Sequence, residues 1–354
     1  MKKNIRRLIG ISVVVLTILL ASEIVLRIFK YPSSYTSIYE FDHEIGYRLT
    51  PGKHVIFIGD HKHSFFVDND GVLDRNISGR AEVVLLGDGV VAGMELAPEK
   101  RLARQLGSIT GYSVVNLSVP GYGTVQQWLT LRRWILKNGK PEHAFIVYNL
   151  ANDYFDNVQA WESTRIPGIQ KNSNGIQEVF PVIPTAIGRL IRYVKWNSRL
   201  YSLFSQLKES NPNKDSLPRQ QRWFYQNVPP EESIRGDIAT KLAVAQIDKL
   251  SKEYGFSLTW LPWHDFSLEY SEGVSGYIAI EKIKRLMPKG EKWVYISPGL
   301  GSNPYDIARW EREWIYPQTR HASASAIRYI AFRLCKLLPH SGCTQDDEVS
   351  VNDD

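Results

Sequence analysis

Apolar positions along the chain fall into three regimes. Between Leu8 and Ser22 there is no charged residue, and the apolar run resumes with Ile24, Val25, Leu26, Ile28 and Phe29. Counted through Phe29, the stretch is long enough for the roughly 20 residues that cross a bilayer as a helix. Glu23 and Arg27 fall inside that count, spaced i and i+4 with the acid first, so they pair on one helix face and sit at an interface. From Pro32 to about Gly79 the chain is irregular, aromatic and turn-rich. Here His54 to Gly59 and Ser64 to Gly71 read as short strands of a small β element on the way from membrane to domain.

The third regime begins at residue 81 and alternates short apolar runs with helical patterns. Glu82 to Leu86 ends in Gly87-Asp88-Gly89 and is followed by a helical pattern over Pro98 to Leu106. Tyr112 to Leu117 leads through Val119-Pro120-Gly121-Tyr122-Gly123 into a helix over Thr124 to Lys137. His143 to Leu150 ends in Ala151-Asn152-Asp153. Further on come a helix over Glu232 to Tyr254, a strand over Phe256 to Pro262, a helix over Tyr277 to Met287, a strand over Trp293 to Ser297 and a helix over Ala322 to Leu338. Strand and helix in alternation predict an α/β fold built on an open parallel sheet. Residues 163–235 interrupt it with a Gly/Asn-rich stretch, an amphipathic helix over Ala186 to Leu207 and a polar linker from Glu209 to Gln221, an insertion or lid over the site. The predicted organisation is an anchor over 1–30, a β-rich connector over 31–79, one domain over 80–345 and an acidic tail over 346–354.

Composition and charge narrow the function classes. With 354 residues and 43% apolar residues the chain fills a real core, which excludes disorder as its main state. The formal net charge is +6, but the ends bias it in opposite directions. Lys2, Lys3, Arg6, Arg7, Arg27 and Lys30 face Glu23 alone at the start, and Asp346, Asp347, Glu348, Asp353 and Asp354 close the chain without a base. The body's charge is spread thinly, with no Lys/Arg-rich stripe interleaved with aromatics, so nucleic acid is not an expected partner. Basic residues ahead of the apolar span keep that end in the cytoplasm and place everything after residue 30 outside. A cleaved signal peptide competes with an uncleaved anchor, but Leu19-Leu20-Ala21-Ser22-Glu23 is a poor small-x-small cleavage site. Cys335 and Cys343 admit two readings, a disulfide closed across the Pro339 to Gly342 turn or two unpaired thiols. Neither makes a redox or metal motif. His61 and His63 alternate as in a strand and read as a solvated pair, since no third ligand stands nearby.

In an open α/β sheet the ligand crevice lies at the carboxyl ends of the strands. Three such ends carry small or polar residues, at Gly87-Asp88-Gly89, Pro120-Gly121-Tyr122-Gly123 and Asn152-Asp153, and His321 stands before the last helix. Four segments, VVLLGDGVVAG (83–93), VVNLSVPGYGTVQQ (114–127), FIVYNLANDYFDN (145–157) and IYPQTRHASASAIRYIA (315–331), resemble the four sequence blocks of the SGNH/GDSL hydrolases, in the branch with an N-terminal membrane anchor. ASEIVLRIF (21–29) and EIGYRLTPG (44–52) are similar to that branch as well. The resemblance implies a three-layer flavodoxin-like fold on the outer face of a bacterial cytoplasmic membrane, relationship to carbohydrate esterases and O-acetyltransferases, and no cofactor. It places the nucleophile at Gly89, the oxyanion donors at Gly89, Gly121 and Asn152, the base at His321 and a structural acid at Asp88. The acid that orients the base falls at Gln318 or Thr319. The oxyanion donors and the histidine are therefore present, while the serine and the orienting acid are absent.

Covalent acyl transfer needs a nucleophile within reach of a base, and glycine offers no side-chain atom. Three readings follow: an envelope protein with lost or reduced ester hydrolysis that binds an acylated carbohydrate, an envelope polysaccharide or a protein partner; an esterase in which His321 activates water; and a structural scaffold. Asp88 is the candidate substitute nucleophile, and Ser118 belongs to another strand end. Gly87-x-Gly89-x-x-x-Gly93 resembles a dinucleotide loop, but no acid stands at the end of the second strand, where Asn116-Leu117-Ser118 lie. Trp260, Trp263 and His264, with Asp265, are candidates for an aromatic sugar-binding wall with an alternative base, against the plainer reading of core tryptophans and a loop histidine.

Overall fold

The computed structural model describes residues 2–29, 31, 38–58, 61–73, 75, 79–149, 153, 156–157, 166–172, 175–180, 185–209, 230–263, 285–287, 292–294, 322–339 and 342–343. The chain opens with α1 (Lys2–Ile28), followed by antiparallel pairs β1 (Tyr39–Asp42) with β2 (Gly46–Leu49) and β3 (Gly52–Ile58) with β4 (His61–Val67). The alternating part then runs β5 (Val83–Leu86), α2 (Gly89–Ala92), α3 (Leu102–Thr110), β6 (Val114–Asn116), α4 (Thr124–Asn138) and β7 (His143–Asn149). An antiparallel pair, β8 (Gly168–Asn172) with β9 (Gly175–Val179), leads to α5 (Ala186–Asn197) and α6 (Arg199–Glu209). The chain continues with α7 (Pro230–Tyr254), β10 (Ser257–Trp263), β11 (Lys292–Trp293) and α8 (Ala324–Cys335).

The central sheet has the order β11-β10-β7-β5-β6 with every pairing parallel. Counting only its own strands in chain order, this is 2-1-3-4-5, the flavodoxin-like arrangement. The predicted α/β class with a parallel sheet is what the structure has. Side-chain alternation separates two cores. Val84, Leu86, Ala144, Ile146, Tyr148, Leu258 and Trp260 face one way, toward α4 and α7, and Val83, Leu85, Phe145, Val147, Leu261 and Trp263 face the other, toward α3 and α8. A sheet covered on both faces explains the near-continuous apolar runs of its strands, and all seven positions of β7 are buried.

The β element that precedes the sheet is less of a linker than expected. Ile38, Ile45, Leu49, Phe65, Val67, Val72 and Leu73 are buried in the same cluster as the α4 face of the sheet. Polar contacts fix the docking: Arg133 of α4 donates from both Nη atoms to Asp42, at 2.7 and 2.8 Å, and from Nη2 to Glu44 Oε2 at 2.6 Å. Arg132 bridges Glu44 and Glu178 of β9 at 2.8 and 2.7 Å. Asp42 Oδ1 also accepts from the backbone N–H groups of Glu44 and Ile45, so one carboxylate shapes the β1–β2 turn and holds it to the domain.

Three further departures from the sequence reading have physical causes. The predicted single helix over 186–207 breaks at Ser198, whose extended backbone ends α5 and whose hydroxyl accepts from Tyr201 N–H at the start of α6. The Gly/Asn-rich stretch is the β8–β9 hairpin, turning between Asn172 and Gly175. Arg285 to Met287, the expected end of a helix, form a turn, while the rest of that helix lies outside the described residues. Of the two readings of the cysteines, the disulfide is the one present, with Cys335 and Cys343 Cα atoms 6.1 Å apart. The acidic tail also lies outside the described residues.

Burial pushes the Asp42 carboxyl up, but the Arg133 guanidinium and the two backbone N–H groups outweigh it and hold it well below the usual carboxylate range. A depressed folded pKa contributes stability that is complete above the unfolded value of about 4 and is lost as pH falls through the folded value. Asp42→Asn is therefore expected to cost about 1–3 kcal/mol at neutral pH, read by denaturant titration, with the gap from wild type closing below about pH 4. A gap that widens on acidification contradicts the assignment.

Candidate functional site

The sheet order reverses between β5 and β7, and it is beside the carboxyl ends of the strands at such a point that open α/β sheets place ligands. Gly87 leaves β5 in a space only glycine fits: a Cβ there would stand 2.5 Å from Val91 Cγ2 and 3.2 Å from Val147 Cβ. Asp88 follows, 3% exposed, as the N-cap of α2. Its Oδ1 accepts from Val90 N–H at 3.0 Å and its Oδ2 accepts from Asn149 Nδ2 at 2.9 Å, so one carboxylate joins the ends of the two central strands. Asn116, at the end of β6, ties in the third strand by donating from Nδ2 to Val91 O at 2.8 Å and accepting from Ser118 N–H.

Gly89 is the first residue of α2 and is buried. It has ordinary helical backbone and is absent from the positive-φ glycines, so nothing in its conformation excludes a side chain of L configuration. What the glycine withholds from the site is a functional group rather than a conformation. Gly121 is different. It lies at φ +79°, and a Cβ there would meet the Tyr47 hydroxyl at 2.8 Å. Tyr47 donates to Pro120 O at 3.1 Å while Tyr122 donates to Tyr47 O at 2.6 Å, so strand β2 lies directly against the turn that carries Gly121.

A second polar layer lies behind the strand ends. Gln127 of α4 donates from Nε2 to Asp153 Oδ2 at 3.0 Å. Asn157 donates from Nδ2 to Thr124 Oγ1 and Thr240 Oγ1 and accepts from Val125 N–H. Asp153 is fully buried, and among the described residues its Oδ1 and the Gln127 Oε1 lack a hydrogen-bond partner. Burial, reinforced by the charges of Asp88 and Asp156, holds the Asp153 carboxyl well above the usual range and favours its neutral form.

The predicted site residues divide accordingly. Gly89 and Asp88 follow the carboxyl end of β5, and Gly121 stands at the turn after β6. His321, Asn152 and His264, with Gln318, Thr319 and Asp265, lie outside the described residues. Trp260 and Trp263 do not form an exposed aromatic wall. Both belong to β10, they point to opposite faces of the sheet, and they are 0% and 4% exposed within the two cores. Ser118 is buried too, at 1%. Sequence reasoning passed over Asn149, Gln127, Asn157 and Tyr47. The signal available was polar residues at positions where the pattern demands apolar ones, namely Asn149 at the end of a seven-residue buried strand and Gln126-Gln127 on the inner face of α4.

No family model and no curated protein matches the chain. Among solved structures, it is similar to a member of the lipolytic protein G-D-S-L family from Veillonella parvula DSM 2008, at 7% identity and TM-score 0.39, over 72% of this chain and 97% of that one. It is similar also to an acetyl xylan esterase from the rumen bacterium Butyrivibrio proteoclasticus, at 10% identity and TM-score 0.33, over 76% of this chain and 66% of that one. At this distance the chemistry of the site rests on the chain's own residues.

The raised Asp153 carboxyl has a measurable signature. Because its folded pKa is raised, the folded state keeps a proton that the unfolded chain releases near pH 4, so wild-type stability falls as pH rises from about 4 toward the folded value, by up to about 1.4 kcal/mol per pH unit. Asp153→Asn preserves shape and removes that slope. Its melting temperature relative to wild type is expected to rise as pH increases above about 4; a difference that stays flat or falls as pH rises from there contradicts a raised carboxyl.

Proposed function

We propose that the chain is a membrane-tethered protein of SGNH/GDSL type, its body on the outer face of a bacterial cytoplasmic membrane, in which ester hydrolysis through a covalent intermediate is lost. In this reading the strand-end crevice binds an acylated carbohydrate, an envelope polysaccharide or a protein partner. Gly89 carries the proposal. The position that would hold the nucleophile has none, although its backbone would accept one. The adjacent carboxylate is engaged in structure and buried, its Oδ1 capping α2 at Val90 N–H and its Oδ2 accepting from Asn149 at the end of β7, which argues against its serving as a replacement. What supports the tether is Ile9–Ile28, a helix segment of 20 residues with mean hydropathy 2.5 and none of it buried, long and apolar enough to cross a membrane. The side rests on Lys2, Lys3, Arg6 and Arg7 ahead of it.

Without a nucleophile, any turnover is limited to what oriented donors and a base supply, about 10³–10⁴ over the solution reaction. The full-length protein in detergent is expected to resist labelling by a fluorophosphonate probe and to show no burst with p-nitrophenyl acetate. Gly89→Ser combined with Gln318→Asp is expected to gain probe labelling at residue 89, because it restores the two missing groups. Labelling of the wild type, or rapid wild-type ester turnover abolished by His321→Ala, overturns the proposal in favour of a working esterase.

A further inference from the structure

Within the insertion, the β8–β9 hairpin packs on the domain, through Ile169 in the core and Glu178 on Arg132, while the α5–α6 corner is hydrogen-bonded to the anchor. Glu23, near the end of α1, accepts from Ser198 Oγ at 2.9 Å, from Leu200 N–H at 3.0 Å and from Arg199 N–H at 3.1 Å. It thereby caps the N-terminus of α6, where a carboxylate is favoured by the unsatisfied N–H groups and the helix dipole. Arg27 completes the junction, donating from Nε to Glu23 at 2.8 Å and from Nη2 to Asn197 O, the last carbonyl of α5, at 3.1 Å. The two charges inside the apolar count are thus the joint that fixes the α5–α6 corner to the body-side end of the membrane-crossing segment.

The surface that this joint positions is apolar and exposed. Ile187, Leu190, Ile191 and Val194 recur at i, i+3, i+4 and i+7 on α5, and they are 72%, 61%, 51% and 53% exposed. On α6, Tyr201 and Phe204 are 41% and 59% exposed. The same spacing on a helix of a soluble domain faces a core, as it does on α4, where Trp128, Leu131 and Ile135 are buried. Charge points the same way. From 185 to 208 the sequence contains Arg189, Arg192, Lys195, Arg199 and Lys208 and no acid. An apolar stripe with basic flanks is the composition of helices that lie in the plane of a bilayer with anionic headgroups.

We infer that α5 and α6 form a second, interfacial membrane contact, lying on the bilayer surface beside the anchor with the Ile187–Val194 stripe in the headgroup and acyl boundary. The inference rests on α1 crossing the bilayer. Continuity chooses lipid over other occupants, because the hydrogen-bonded corner at Glu23 holds the end of α5 and the start of α6 at the level where α1 leaves the apolar layer. The arrangement would hold the α5–α6 corner close against the membrane.

The test uses the full-length chain in vesicles of phosphatidylcholine with and without phosphatidylglycerol. Single-cysteine variants Leu190→Cys, Leu16→Cys and Leu136→Cys carry an environment-sensitive fluorophore, attached without reductant so that Cys335 and Cys343 stay bonded. Leu136 serves as the control because it is 71% exposed on α4, in the domain. Nitroxide lipids labelled near the headgroup are expected to quench the probe at 190, more strongly with phosphatidylglycerol present, and to leave the probe at 136 unaffected. If the probe at 190 stays as water-exposed as that at 136 while the probe at 16 is quenched by deep nitroxides, the anchor stands and the interfacial contact is overturned. Loss of deep quenching at 16 removes the anchor itself. Shielding at 190 that rises with protein concentration and ignores lipid labels overturns it in favour of a second copy.

Discussion

The Asp88 carboxylate sets the geometry on which the rest of the crevice depends. A parallel sheet leaves backbone groups unpaired at the carboxyl ends of its strands, and at the point where strand order reverses there is no neighbouring loop to fill the gap. Asp88 spans that gap, with one oxygen on Val90 N–H and the other on Asn149. Removing such an acceptor strands buried donors, at about 1–3 kcal/mol each. The charge is therefore committed to structure, and the residue beside it, Gly89, brings no group of its own.

Around that link the molecule is tied inward from several directions. Tyr47 of β2 closes on the Gly121 turn, Arg133 grips the β1–β2 corner, and Arg132 reaches on to β9. The hairpins between anchor and sheet consequently form one wall of the domain, sharing its core. At the other end, Glu23 and Arg27 bind the α5–α6 corner to α1. Buried polar groups were placed with partners in most of these joints; Asp153 is an exception, a raised carboxyl with one oxygen unpaired among the described residues. A buried group that costs stability without completing a network is the kind of feature retained at functional sites.

The sheet was legible from sequence because both its faces are covered, which turns each strand into a short apolar run bounded by glycine, asparagine or proline. The strand ends beside the reversal of strand order were legible because their boundaries carry Gly87-Asp88-Gly89 and Gly121. Long-range polar pairing was not legible. Asn149 to Asp88 joins residues 61 apart and Arg133 to Asp42 residues 91 apart, and no local pattern encodes such partners. Trp260 and Trp263 misled for the opposite reason: tryptophan near a strand end suits a sugar wall, but alternation along β10 sends each ring into a core. Glu23 and Arg27 looked like a self-contained pair, whereas four of their bonds reach the segment from Asn197 to Leu200.

The absence of a covalent intermediate is the point on which the account turns. Full-length protein mixed with an activated acetyl ester, quenched in acid within the first turnovers and resolved by peptide mass spectrometry, reports any acyl-enzyme directly. The account predicts no acetyl group on the peptides carrying Asp88, Gly89 or Ser118 at any quench time. An acetyl adduct on Asp88 or Ser118 that forms and decays with ester turnover contradicts it.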